Sequence, residues 1–173
     1  HQTTGKPLTG NLALGKIAWI RQFEPEIFAQ THAYLDVHAY LVMRLTGKAA
    51  TGYGCADPLG LFDLQHPGWA EDLVNSVGAQ INQMPSAYPT GTFLGRLTPE
   101  AASLCGLAPT PTHDGCAITN GRIPVFAGIG DGQAAALGAG LMKPDDIYLN
   151  LGTAVVSGTI SSRYITSQAF RTM

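Results

Sequence analysis

Residues 123–153, reading IPVFAGIGDGQAAALGAGLMKPDDIYLNLGT, constrain the fold more than any other stretch of the chain. An uncharged run rich in β-branched residues at 123–129 predicts a strand buried on both faces of a parallel or mixed sheet. Asp131 then falls where that strand hands over to a helix of small residues, expected over 132–141. In open α/β sheets, ligands collect along this edge, at the carboxyl ends of the strands. Gly130 and Gly132 allow close approach to the backbone, which makes Asp131 a candidate general base. A second apolar run, 147–151, ends in Gly152-Thr153, and a further strand is expected over 154–160. The fold class is therefore α/β.

The rest of the chain reads as short elements. Residues 1–15 are rich in Gly, Thr and Pro and predict loop. Ile17, Trp19, Ile20, Phe23, Ile27 and Phe28 recur near helical spacing, with Pro25 starting a second helix after a break. Trp19 suits core packing better than stacking on a sugar. A helix over 34–45 stops at Gly47, 51–58 is turn-rich, and 69–77 predicts a short amphipathic helix. Residues 85–95, punctuated by Pro and Gly, should wander over the surface. Thr98-Pro99-Glu100 combines a hydroxyl cap, a first-turn proline and an acid at the positive helix end. That helix should stop at Gly106, before a loop over 109–121.

The turn 143–146 is the expected domain boundary, dividing 1–142 from 143–173. Beyond it, a hairpin-like segment without a covering helix is marginal alone, so the sequence reads as cut. Charged residues make up 13% of the chain, against about 25% in typical domains. So few charges suggest surface that lies against something else, either a homodimer partner or further chain.

A net charge of -2 without a basic stripe argues against nucleic-acid binding, and no apolar stretch approaches the roughly 20 residues of a membrane span. Cys55, Cys105 and Cys116 are odd in number and unpaired in pattern, as expected of reduced thiols in the cytoplasm. His113 and Cys116 supply two ligands, too few for a zinc site, and no metal site is expected.

Several motifs together resemble the FGGY family of sugar kinases, and within it the xylulokinases. They are Gly128-Ile-Gly-Asp131-Gly-Gln133 with the small-residue helix, and Leu149-Asn-Leu-Gly-Thr153. Upstream stand Lys16-Ile-Ala-Trp19 before Glu24-Pro25-Glu26, then Arg44-Leu45-Thr46-Gly47, and Thr51-x-Tyr53 leading to Leu61-Phe62-Asp63 and Trp69. Their order and spacing match over nearly the whole chain.

The resemblance implies a ribonuclease H-like (actin-like ATPase) fold, incomplete here, whose two domains close on sugar and Mg-ATP. The first phosphate loop would precede His1 and the adenosine pocket would follow Met173, so the chain alone is expected to be inactive. Asp131 carries over as the catalytic base and a sugar contact, Gln133 as a sugar-pocket residue, and Gly152 and Thr153 as the second phosphate-binding turn. ATP and Mg2+ are the implied cofactors, and D-xylulose the first-choice substrate, ahead of another ketose, a polyol or glycerol. Xylulokinases usually carry Lys-Asp where this chain has His38-Ala39, Asp and Ser where it has Gly52, Gly54 and Cys55, and Asn in place of Gly132.

Other readings stand beside these. Asp131 could cap the helix, which is compatible with catalysis. Gly152-Thr153 could be a plain β-turn, and Gln133 could be solvated. Gly130-x-Gly132-x-x-Ala135 after a strand also fits a permissive dinucleotide fingerprint, hence a nicotinamide-dependent oxidoreductase. Against it, Asp131 puts negative charge where pyrophosphate would sit. A non-catalytic sugar-binding relative of the kinase fold is the remaining alternative.

Overall fold

The computed structural model describes residues 2–107, 123–153 and 155–172. The loop expected over 109–121, with His113 and Cys116, lies outside them. In chain order the elements are α1 (Ala13–Phe23), α2 (Pro25–Gln30), α3 (Val37–Thr46), β1 (Ala50–Gly52), α4 (Tyr53–Ala56) and a 3-10 turn (Asp57–Leu59). Next come β2 (Phe62–Asp63), β3 (Gly68–Trp69), α5 (Glu71–Ser76), a 3-10 turn (Ile81–Gln83), β4 (Ser86–Tyr88), β5 (Phe93–Arg96) and α6 (Pro99–Leu104). β6 (Pro124–Phe126), α7 (Asp131–Gly138), β7 (Ile147–Leu151) and β8 (Val155–Thr159) complete the order.

Helix ends follow local chemistry. Pro25 occupies the first turn of α2, directly after the break at Glu24. The Asp36 carboxylate accepts the Ala39 N–H at 2.9 Å and so starts α3 three residues later than its apolar pattern suggests. Gly47 ends it at φ 79°, a left-handed conformation that glycine adopts freely. In α6 the Thr98 hydroxyl accepts the Ala101 N–H at 3.2 Å.

Three apolar clusters hold these elements together. Ile17 of α1 packs with Leu61, Val74, Val77 and Ala79, under Trp69, Phe28 and Tyr34. Val42 of α3 packs on Ala50, Leu94 and Ala127, which ties β1, β5 and the end of β6 to one helix. Leu97, Ala101 and Ala102 extend that layer toward Leu45 and Ile123. The strands pair two by two among the described residues: β1 with β4 in parallel, and β2 with β3, β5 with β6 and β7 with β8 antiparallel.

Four sequence expectations need correction. The turn-rich 51–58 segment begins in a strand, β1, buried at all three positions, and 85–95 contains β4 and β5 rather than only surface chain. Three-residue strands carry too little periodicity to show in a sequence, because each exists through its partner. The strand expected over 123–129 shortens to β6, paired antiparallel with β5, and Phe126 is 52% exposed. Its second face has no cover among the described residues, so apolar composition overstated its burial. Trp19 is 53% exposed and stacks on Phe23 at 5.3 Å between ring centroids, so it is not a core residue.

The hairpin expected after 146 forms as β7–β8, and Lys143–Asp146 close the turn before it through backbone and Asp146 side-chain hydrogen bonds. Every residue of β8 is exposed. The chain then returns to its start. Thr172 N–H donates to the Gly5 carbonyl at 3.0 Å, and the Tyr164 hydroxyl donates to the Thr3 carbonyl at 3.1 Å. The Lys6 ammonium donates to the Thr172 carbonyl and, at 2.6 Å, to Asp57 Oδ1. Both members of this ion pair are 1% exposed. Desolvation lowers the Lys6 ammonium from its ordinary range and raises the Asp57 carboxyl from its own, each opposed by the other's charge and hydrogen bond.

Candidate functional site

The Asp131 turn is built from three directions. From the β4–β5 loop, the Thr92 carbonyl accepts the Ala127 N–H and the Gly91 N–H donates to the Ala127 carbonyl, both at 2.8 Å, and the Thr90 hydroxyl donates to the Gly128 carbonyl at 3.4 Å. From α3, His38 Nε2 accepts the Gly128 N–H at 3.0 Å. From β1 and α4, two glycines let the turn approach. A Cβ on Gly52 would stand 2.3 Å from the Gly128 carbonyl oxygen, and one on Gly54 would stand 3.1 Å from both Ile129 Cγ2 and Gln133 Oε1. Real Cβ atoms do not tolerate the first distance, so glycine at 52 is a steric requirement here.

α7 begins at Asp131 itself. Gly130 is its N-cap in an extended conformation and has no side chain with which to cap the helix. Gln133 satisfies one free donor instead, its Oε1 accepting the Gly130 N–H at 2.8 Å. Asp131 is exposed, and its Oδ1 accepts the Gly132 N–H at 2.8 Å. That contact orients the carboxylate, and Oδ2 has no hydrogen-bond donor among the described residues. The carboxylate is not sealed beneath packed side chains, so an incoming hydroxyl can reach it.

The structure places the four expected residues in two groups. Asp131 and Gln133 share the first turn of α7. Gly152 and Thr153 follow β7 at the tip of the β7–β8 hairpin and are exposed. The described hydrogen bonds of the Asp131 turn run to α3, the β4–β5 loop and its own helix, not to that tip. A groove of about 360 Å³ at the β1–β4 edge, lined by residues such as Lys48, Ser86 and Tyr88, contains none of the four. Gln133 is half-buried with its oxygen engaged by Gly130, so it is not simply solvated. The dinucleotide reading would need pyrophosphate beside the Asp131 carboxylate, at a turn already occupied by Gln133.

Sequence reasoning did not assign His38, Thr51, Lys6 or Asp57 a part in the architecture. His38 did carry a signal as a departure from the usual Lys-Asp pair. Nothing local pairs Lys6 with Asp57, 51 positions away. Among the described residues no three His, Cys, Asp or Glu side chains cluster closely enough to hold a metal ion. No helix there is long and apolar enough to cross a membrane.

Comparison with known proteins gives a consistent picture. Residues 1–138 match the model of the FGGY family of carbohydrate kinases, N-terminal domain. The chain is 30% identical over 163 residues to a xylulose kinase of Escherichia coli (strain K12), covering 91% of this chain and 31% of that protein. It is 32% identical over 151 residues to an autoinducer-2 kinase of Photorhabdus laumondii, covering 86% of this chain and 25% of that one. The crystal structure of a xylulose kinase from Rhodospirillum rubrum superposes with a TM-score of 0.75 at 33% identity, over 88% of this chain and 29% of that structure. The chain thus spans a third or less of the length of these relatives.

Proposed function

The chain belongs to the FGGY family of carbohydrate kinases through residues 1–138, and from that membership we propose that it supplies the sugar side and the hinge of an ATP-dependent sugar kinase. Its α/β architecture is part of the ribonuclease H-like fold of actin-like ATPases. On this proposal 1–142 form the later part of the first kinase domain and 143–173 begin the second. The family match ending at 138 and the turn at 143–146 support that division. A cytoplasmic location, supported by the odd and unpaired cysteines, and a homodimeric contact over exposed apolar surface, supported by the low charge content, belong to the same reading.

The reaction is phosphorylation of a sugar hydroxyl, with D-xylulose converted to D-xylulose 5-phosphate in the intact enzyme. Similarity to xylulose kinase supports that substrate. Similarity to autoinducer-2 kinase supports, as a second reading, a kinase of this family for a substrate other than xylulose.

Phosphoryl transfer is catalysed mainly by positioning and charge neutralisation. Asp131 accepts a hydrogen bond from the sugar hydroxyl and takes its proton as the oxygen attacks the γ-phosphorus. The new O–P bond forms, the bond from γ-phosphorus to the bridging oxygen breaks, and ADP leaves with that electron pair. Gln133 holds the turn through Gly130, and its amide nitrogen is the group assigned to the sugar in this proposal. The Gly152 and Thr153 backbone N–H groups and the Thr153 hydroxyl bind phosphate oxygens. Mg2+ enters on the nucleotide, as part of the substrate.

The observation that carries this proposal is the exposed Asp131 carboxylate, oriented by Gly132 N–H at the first residue of α7. The test is steady-state phosphorylation by the full-length enzyme with MgATP against D-xylulose, other ketoses and polyols. Asp131→Asn should lower kcat by about 10²- to 10⁴-fold. An Asp131→Asn variant with wild-type turnover would remove the base assignment, and turnover by the 173-residue chain alone would show that no other walls are needed.

A further inference from the structure

We infer that His38 is a positioning residue for the Asp131 turn, a role that rests on the kinase reading above. His38 stands in the first turn of α3 and its ring joins two other elements. Nε2 accepts the Gly128 N–H at 3.0 Å, and Nδ1 lies 3.3 Å from the Thr51 hydroxyl. A backbone N–H can only donate, so the tautomer that satisfies both contacts leaves Nε2 bare and places the proton on Nδ1, donating to Thr51. Thr51 is fully buried in β1, which gives this end of the ring a fixed anchor. The other end holds the backbone three residues before Asp131.

The surroundings turn this pair of hydrogen bonds into a constraint on the carboxylate. Gly128 is pressed from one side by Gly52, whose Cβ position is 2.3 Å from its carbonyl oxygen. On the other side its own Cβ position is 3.1 Å from His38 Nε2. The turn therefore has a wall at Gly52 and two side-chain holds on Gly128: the Thr90 hydroxyl donates to its carbonyl at 3.4 Å, and the shorter His38 latch accepts from its N–H. Loss of the acceptor leaves the Gly128 N–H unpaired and loosens the turn on its α3 side, while the bonds to the β4–β5 loop remain. Misplacement of a reacting group by about 1 Å can cost on the order of 10²-fold in rate. Lysine, usual at this position in xylulokinases, has donors only and cannot accept from Gly128.

The test uses the full-length enzyme with D-xylulose and MgATP. His38→Leu and His38→Lys remove the acceptor and are expected to lower kcat by about 10- to 100-fold, with KM for ATP unchanged. His38→Gln offers an amide oxygen to Gly128 and an amide donor to Thr51, and should restore kcat to within about threefold of wild type. Equal losses in all three variants, or losses that vanish once rates are divided by the folded fraction, would overturn the positioning role. Imidazole 15N shifts read the latch independently, with a bare Nε2 expected, and a protonated Nε2 in an active wild type would sink the inference while leaving the kinase reading intact. A wild type inactive on every sugar would overturn the kinase reading, and this role with it, whatever the 15N shifts show.

Discussion

Asp131 and Thr153 both stand in turns that follow short strands, yet the two turns are held in opposite ways. The Asp131 turn is braced by residues distant in sequence: His38 from α3, Thr92 from the end of the β4–β5 loop, and Gly52 and Gly54 from β1 and α4. The Thr153 turn is held by its own hairpin, whose outer strand is exposed at every position. Leu149 and Leu151 are 56% and 73% exposed, apolar surface of the kind that marks contact with other chain. The base proposed at Asp131 would need fixing within fractions of an ångström, which the braced turn provides. The phosphate-binding role proposed for the other tip would require it to travel with its domain, and loose attachment within this segment suits that proposal.

The contrast can be broken at three points. The largest effect is expected at the Lys6–Asp57 pair, which fastens the chain after the hairpin to the braced region. Asp57→Asn leaves a buried ammonium without its counter-charge and should cost about 3–5 kcal/mol in denaturant unfolding of this chain. Lys6→Met combined with Asp57→Leu should be neutral or stabilising, since burial already works against both charges. A double variant as unstable as the single one would mean that the fastening depends on the charges themselves. Next, Gly52→Ala forces a methyl against the Gly128 carbonyl and should cost about 1–3 kcal/mol. It should also shift the Gly128 amide resonance; a silent substitution would show that the turn has slack. The smallest effect belongs to the hairpin. Leu149→Ser should change the stability of this chain by no more than about 0.5 kcal/mol, and a loss of several times that would show the strand to be covered.

Elements governed by local chemistry were legible in the sequence. Thr98-Pro99-Glu100 announced α6, Gly47 the end of α3, and Gly-Asp-Gly the start of α7, because a cap or a left-handed turn depends on a few neighbouring residues. β1 and β4 were not legible, being three residues each and paired across 36 positions. Asp131 stood out as an acid between glycines after an apolar run, whereas the groups that hold its turn did not. His38 looked like a departure from a motif, and Gly52 and Gly54 like turn formers. Their meaning lies in distances to residues 128–133 that no local pattern encodes.

The close approach at Gly52 also imposes an order on how this site can change. A side chain at 52 is costly while the 128–130 segment stays in place, and His38 helps to hold that segment. A lineage drifting between this arrangement and one with Asp at the turn meets the smaller cost by giving up the histidine first and gaining the larger residue second. The reverse order passes through a clash. The site therefore behaves as a ratchet, in which the accessible substitutions at one position are set by what a neighbour on another helix has already done.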